Sequence, residues 1–346
     1  MFLIARRGIL FISLKISISS KEGGVSMKKL KIIITLIFFG IITQPRFCLT
    51  AIKLIQLKEI LSIGTLSDDL IFFLTSVAVD EKGFIYLTDS MDYSIKKFDQ
   101  KGMLIKKTGR KGQGPGEFLF PVIIEYCNGT VYIVDQNRPG IQVFDDNLNY
   151  KTHVSFNAPI FDLEVLNNGR IFVLSPLLSE LPPILQINGN KSAILDSLME
   201  NPREGYWKSN GKFEIDSQGN IFFVASFEDN IAKFDKERKL IWKKTLLGGR
   251  MVKQKYSQAA KLTIPTEMIY KDIAFDKFGN IYILGGHVAE HRSRDVYVLD
   301  NNGNHLTTFM LQEPSHFLYI DNKNFLYSKA AEGTTLKKYS IEYVEK

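Results

Sequence analysis

Along most of the chain, short apolar runs alternate with tight polar turns, and one arrangement keeps returning. Val77-Ala78-Val79-Asp80-Glu81-Lys82-Gly83-Phe84-Ile85-Tyr86 reads as strand, turn, strand. The same shape recurs around Gly129, Gly169, Gly219 and Gly279, and a sixth copy turns at Asn324, the residue type next best suited to a left-handed backbone. Two residues past every turn stands Ile, Val or Leu, and three past stands Tyr or Phe. The turns are 46, 40, 50, 60 and 45 residues apart.

A third strand follows most copies: Ser94 to Phe98, Ile141 to Phe144, Ile231 to Phe234 and Val296 to Leu299. After it come a polar turn beginning with Asp (Asp99, Asp145, Asp235, Asp300) and a fourth strand such as Met103 to Lys107 or Leu240 to Thr245. Four antiparallel strands per unit of this length make a propeller blade, so the pattern predicts an all-β, six-bladed β-propeller. The sixth copy has a third strand, Thr334 to Ser340, but only a short tail after it. The unassigned run Lys53 to Ile63 is therefore expected to supply the outer strand of the last blade and close the ring, leaving no unpaired edge. The glycine+3 aromatics are expected to pack between blades.

The first fifty residues do not follow this pattern. Lys28-Lys29-Leu30-Lys31 precedes an eleven-residue apolar run, Ile32 to Ile42, and a small residue, Ala51, ends the segment. That is the layout of a signal peptide over 27–51, and the run is too short for an ordinary membrane span. Cys48 follows Arg46-Phe47, where a lipoprotein signal wants small residues. Lys21-Glu22-Gly23-Gly24 can be encoded by a purine run resembling a bacterial ribosome-binding site just before Met27. Translation is accordingly expected to start at Met27, with 1–26 a mis-called leader and 52–346 the propeller. Cleavage after Ala51 would leave one thiol, Cys127, and no intrachain disulfide. Cys127 itself is expected to be packing filler.

Composition changes one inference. The net charge of +7 suggests nucleic acid, but residues 1–51 carry eight basic side chains and one acid, leaving 36 of each sign in the rest. A neutral body has no general attraction for phosphate backbones, so no nucleic-acid partner is expected, and no membrane span after processing.

The repeat resembles the NHL-type six-bladed propellers, whose blades carry Val-Ala-Val-Asp, a Gly turn, Ile-Tyr-Val and Ile-x-x-Phe-Asp. Gly109-Arg110-Lys111-Gly112-Gln113-Gly114-Pro115-Gly116-Glu117-Phe118 is similar to the Gly-Arg-x-Gly-x-Gly-Pro-Gly-Glu-Phe stretch of secreted bacterial six-bladed propeller proteins. The resemblance spans about 53–346, with the third and sixth blades matching through their inner strands only. It implies the fold, and a face formed by the loops entering the inner strands and the loops between second and third strands as the place for a ligand. It leaves function open, since propellers host binding, scaffolding and several chemistries.

Candidates on that face divide into contact residues and possible cation ligands. The Gly-rich stretch lacks the Lys and Ser/Thr of a Walker loop and does not open a helix. It reads either as a connector anchored by Arg110 and Glu117 or as a ligand contact through Arg110 or Gln113. Arg138, after the second blade's second strand, joins these contacts. Two long loops, 195–211 with Arg203, Tyr206 and Trp207, and 248–270 with Arg250, Lys253, Lys255 and Tyr256, have the aromatic and Arg composition of binding hot spots.

Asp89 and Asp135 stand six residues past their turn glycines. They read as turn caps or as oxygen ligands for a hard cation. His287 and His291, in His287-Val288-Ala289-Glu290-His291, are spaced for zinc on a helix but lack the metalloprotease order. Peptidylglycine amidating lyases, which are NHL-type enzymes with His-bound zinc, take their histidines from several blades, a pattern five histidines do not clearly reproduce here. No nucleophile elbow, CxxC pattern or EF-hand loop is present.

The leading expectation is an exported binding or interaction module holding a protein, peptide or glycan on the loop face and channel, with no cofactor. The alternative is a metal-assisted lyase or lactonase-like hydrolase with Ca or Zn in the channel, held by Asp89, Asp135, His287 and His291. A purely structural envelope component is a third possibility.

Overall fold

The structure is a computed structural model that describes residues 54–64, 70–175, 184–188, 191–194, 210–258, 262–330 and 333–344, and the backbone of 4–6 and 9–11. The chain falls into two compact units, Met1–Leu49 and Thr50–Lys346. In the first, Ile4–Arg6 pairs antiparallel with Ile9–Phe11. The proposed leader and signal segments otherwise lie outside the described residues.

The second unit is a ring of six four-stranded antiparallel blades. From inner to outer strand, blade 1 is Leu74–Val79, Ile85–Asp89, Ser94–Phe98 and Leu104–Thr108. Blade 2 is Pro121–Cys127, Thr130–Asp135, Ile141–Asp145 and Tyr150–Val154. Blade 3 is Asp162–Val165, Ile171–Leu174, Ile184–Asn188 and Lys191–Ile194. Blade 4 is Gly211–Ile215, Ile221–Ala225, Ile231–Phe234 and Leu240–Lys244. Blade 5 is Tyr270–Phe275, Ile281–Gly285, Asp295–Leu299 and His305–Met310. Blade 6 is Leu318–Ile320, Phe325–Lys329, Leu336–Val344 and, from the start of the ring, Leu54–Ile63. A separate hairpin, Gln254–Ser257 with Leu262–Pro265, rises between blades 4 and 5.

Why these residues make these turns is visible at Asp321. Its Oδ1 accepts the backbone N–H groups of Lys323 (3.0 Å) and Phe325 (2.9 Å), and its Oδ2 accepts the Tyr327 hydroxyl at 2.9 Å. Asp80 and Asp276 do the same with Tyr86 and Tyr282. In these three blades the Asp and the glycine+3 Tyr are thus one device: the carboxylate holds the turn while the ring fills the blade interface. At the tip, Gly83, Gly129, Gly169, Gly219 and Gly279 all have φ between 78° and 95°, and Asn324 adopts 68°. A side chain with a branched Cβ would be strained there.

Each blade interface holds its own apolar cluster. Tyr86 and Ile95 of blade 1 pack with Ile124, Ile133 and Phe144 of blade 2, and the sequence continues around the ring. The last cluster joins Tyr327 and Leu336 of blade 6 to Val77, Ile85 and Leu87 of blade 1. Middle strands are buried on both faces and outer strands alternate, because a middle strand is sandwiched between neighbouring blades while an outer one meets water. Burying one such aliphatic or aromatic side chain is worth about 1.5–3 kcal/mol.

Closure follows the expected route. Leu54–Ile63 pairs antiparallel along the whole of Leu336–Val344, from Leu336 opposite Ile63 to Val344 opposite Leu54. The register shift at Lys338/Tyr339 matches those at Lys97/Phe98, Val143/Phe144, Lys233/Phe234 and Val298/Leu299. In each case the extra residue lies on the outer strand (Ile60 here; Ile105, Lys151, Ile241 and Leu306 in the other blades), so the bulge is kept even when the outer strand comes from the far end of the chain.

Candidate functional site

The loops that enter the inner strands and those that join second to third strands share one end of the ring, as the alternating strand directions require. Carboxylates organise this face. Asp89 accepts the N–H groups of Phe72 (2.8 Å) and Phe73 (2.9 Å) and pairs with Lys96 Nζ at 2.7 Å. Asp135 accepts those of Leu119 (2.5 Å), Phe120 (2.9 Å) and Asn137 (3.0 Å). Asp229 accepts Leu246, Leu247 and Gly249 N–H and the Tyr270 hydroxyl. Asp89 and Asp135 are both buried, and their oxygens are spent on fixing the loops.

The Gly-rich stretch is folded around Glu117. Its Oε1 pairs with Arg110 (2.7 and 2.8 Å) and its Oε2 accepts Gly114 N–H at 2.8 Å. These contacts hold the carboxyl below the usual carboxylate range. Arg138 Nη1 donates to the carbonyls of Gly114 (3.0 Å) and Glu117 (2.7 Å). A Cβ at Gly112 would lie 2.1 Å from the Glu117 carboxylate, which is why that position is glycine. Arg138 is thereby committed to the connector. The Arg110 side chain keeps most of its surface in solvent, and Gln113 is exposed.

A cavity of about 270 Å³ opens on the same face, lined by Arg250, Lys253, Glu267, His287, Val288, Ala289, Glu290 and Arg292. Arg250 Nη1 donates to Val288 O at 2.9 Å. Glu267 pairs with Lys253 at 3.3 Å and faces Arg292 at 3.8 Å. His287 Nδ1 accepts Met268 N–H at 3.1 Å, and burial, then Lys271 and Arg292, push its pKa down. His287 thus lines this cavity as a neutral ring. His291 is turned away to Asp295, with Nδ1 and Oδ1 2.9 Å apart. Tyr256 stands exposed on the added hairpin. Arg203, Tyr206 and Trp207 lie outside the described residues. Among the described residues no three His, Cys, Asp or Glu side chains are arranged to hold a metal ion.

The channel itself carries charges that the sequence reading passed over. Glu125, Glu164 and Glu214 lie on the inner strands of blades 2, 3 and 4. Burial, then repulsion from nearby carboxylates (Glu214 acting on Glu125 and Glu164, Asp162 and Asp272 acting on Glu214), raises all three, with Glu214 pushed up to about 8. Glu125 and Glu214 belong to blades that do not touch, so their interaction runs across the axis. Higher in the channel, Lys212 pairs with Asp162 at 2.7 Å. Asp272, raised to about 7 chiefly by burial, accepts Leu318 N–H at 2.8 Å. The only sign of these groups along the chain is an acid or a lysine inside an otherwise apolar inner strand.

The model of the DUF5128 family, described as 6-bladed beta-propeller, matches residues 53–277. The chain belongs to this family. No curated protein matches it in sequence. Among solved structures it is similar to a protein of Bacteroides fragilis described as exported (TM-score 0.60, 9% identity, covering 86% of this chain and 98% of that one). It is also similar to an auxiliary nutrient binding protein of Bacteroides thetaiotaomicron (0.56, 12%, 83% and 77%). A virginiamycin B lyase of Staphylococcus aureus is a third likeness (0.53, 10%, 83% and 99%). At these identities the likeness shows the propeller fold alone. No helix among the described residues is long and apolar enough to cross a membrane.

Proposed function

We propose that this family member is an exported binding module that holds a peptide or glycan on its loop face. The observation that carries the reading is the cavity between Arg250, Glu267, His287 and Arg292, two of whose lining residues, Lys253 and Glu267, flank a hairpin that a blade does not need. Its lining offers guanidinium and carboxylate groups at fixed positions, suited to the hydroxyls, amides and charged ends of such ligands. Asp89, Asp135 and His291 are engaged in other bonds, so nothing in the geometry favours the metal-assisted alternative over binding. The signal-peptide layout, and neighbours described as exported and as nutrient binding, support export.

The test is to screen the full chain against arrayed glycans and a peptide library, then to compare Arg292→Ala and Glu267→Gln with the parent. A hit weakened about tenfold or more in both variants, with unchanged melting temperature, supports the reading. Hits that both variants bind like the parent would place the ligand elsewhere and sink it.

A further inference from the structure

Beside that cavity, two lysines are buried where the loop before blade 6 meets the channel mouth. Lys271 is the second residue of the inner strand of blade 5, and Lys329 ends the second strand of blade 6; they are 5% and 3% exposed. Lys271 Nζ donates to Ser315 O at 3.4 Å and to His316 Nδ1 at 3.2 Å. Lys329 Nζ donates to Leu74 O at 2.8 Å and sits 4.0 Å from the Phe73 ring centre. The same loop ties the two together: Ser315, fully buried, takes Lys271 Nζ on its carbonyl and Lys329 N–H on its hydroxyl oxygen.

Among the described residues, no carboxylate forms an ion pair with either lysine. This contrasts with Lys96 and Lys212, which are matched with Asp89 and Asp162. Two ammonium groups present six N–H donors, and the described partners take three: two carbonyls and one imidazole nitrogen. A buried charge without a counter-charge is costly, so a ligand that supplies the negative partner would be stabilised there. His316, bonded to Lys271 and with part of its surface in solvent, connects the pair to solvent. His287 adds a further ring nearby, and both histidines are pushed toward the neutral form by burial and by Lys271. A neutral imidazole can still donate from its second nitrogen.

We propose that Lys271 and Lys329, with His316 at the entrance, form a site for an oxyanion of at least two oxygens, a carboxylate or a phosphate, at the loop-face end of the channel. The site does not depend on what the neighbouring cavity binds. An anion there would accept from both ammonium groups and screen their repulsion.

The probes are inorganic phosphate and acetate, each added to the full chain in chloride buffer at constant ionic strength, with melting temperature and calorimetric binding as readouts. The expected result is a rise of about 2 °C or more with at least one of them. Which one acts tells phosphate from carboxylate. Phosphate stabilises many proteins by exclusion from their surfaces, so the comparison with Lys271→Met and Lys329→Met decides. These variants should lose the response, or bind at least tenfold more weakly, while melting in chloride alone at or above the parent temperature. The control Lys101→Met, at an exposed turn, should respond like the parent. Should the methionine variants fail to fold, acetylation of the parent protein gives the answer, with Lys271 and Lys329 modified severalfold more slowly in the presence of the active anion. No response to either anion, an equal response in the methionine variants, or unprotected lysines would overturn the site.

Discussion

The Nζ of Lys271 lies 3.2 Å from Nδ1 of His316, joining blade 5 to the loop that enters blade 6. An ammonium group can only donate, so Nδ1 must accept and the ring proton sits on Nε2. Burial, then Lys271 and Lys329, push this imidazole down to about 4. His316 should therefore stay neutral from neutral pH down to about 5, as read by its ring carbon and nitrogen shifts in NMR. In Lys271→Met its midpoint should move upward toward the ordinary value near 6.5.

The channel gives stability a distinctive pH dependence. Glu214 (about 8) and Asp272 (about 7) are raised above their unfolded values, so the folded state holds protons that the unfolded chain has released. Stability should fall as pH rises from about 4.5 toward 8. Lys271 and Lys329, lowered to about 8 chiefly by burial, act in the opposite direction: between about 8 and 10.5 the unfolded chain binds the extra protons and stability recovers. A melting curve against pH at fixed ionic strength should show a shallow minimum near 8. Glu214→Gln should flatten the acid limb by several degrees and leave the alkaline limb in place.

The turn carboxylates differ in what depends on them. Asp321 is buried and holds two amides and the Tyr327 hydroxyl, so Asp321→Ala should cost about 2–4 kcal/mol in urea unfolding. Asp99 serves the exposed turn between outer strands, where among the described residues its carboxylate bonds Lys101 and Met103 N–H only. Asp99→Ala should cost about 0.5–1.5 kcal/mol. Equal losses would contradict the role given to the glycine+3 tyrosine.

Cys127 ends the inner strand of blade 2, is buried, and has its thiol pushed up by burial and then by Glu125. Reaction with a thiol reagent at pH 8 should be about tenfold or more slower than for free cysteine, and it should speed up in denaturant. Rapid native-state labelling would show that the strand end opens.

Much of the architecture is legible along the chain because each blade is built by rules that act within ten residues. Gly or Asn at the tip and Tyr or Phe three later recur in all six turns, and Asp (Asp80, Asp216, Asp276, Asp321) in four of them; each is required locally, and the repetition separates the signal from accident. Ring closure could be foreseen as well, since a blade short of one strand and a strand without a blade have one economical solution. The contact candidates fared differently. Arg250 and His287 meet in one cavity, whereas Arg138 is consumed by its connector, and the set of Asp89, Asp135, His287 and His291 is divided among separate hydrogen bonds. Spacing along the chain could not tell these cases apart, because the partners that engage Asp89 and Asp135, Lys96 aside, are backbone amides, which every residue but proline possesses.

What the sequence determined by itself is the blade, its repetition and the closing strand, all consequences of local backbone geometry and of the need to leave no edge unpaired. Only the tertiary structure decided which charges face one another. Glu125, Glu164 and Glu214 sit on separate blades yet converge on the axis. Lys271 and Lys329 are neighbours because the loop around Ser315 lies between them. Electrostatic interaction depends on distance through space, and that distance is set only when the blades pack side by side in the ring.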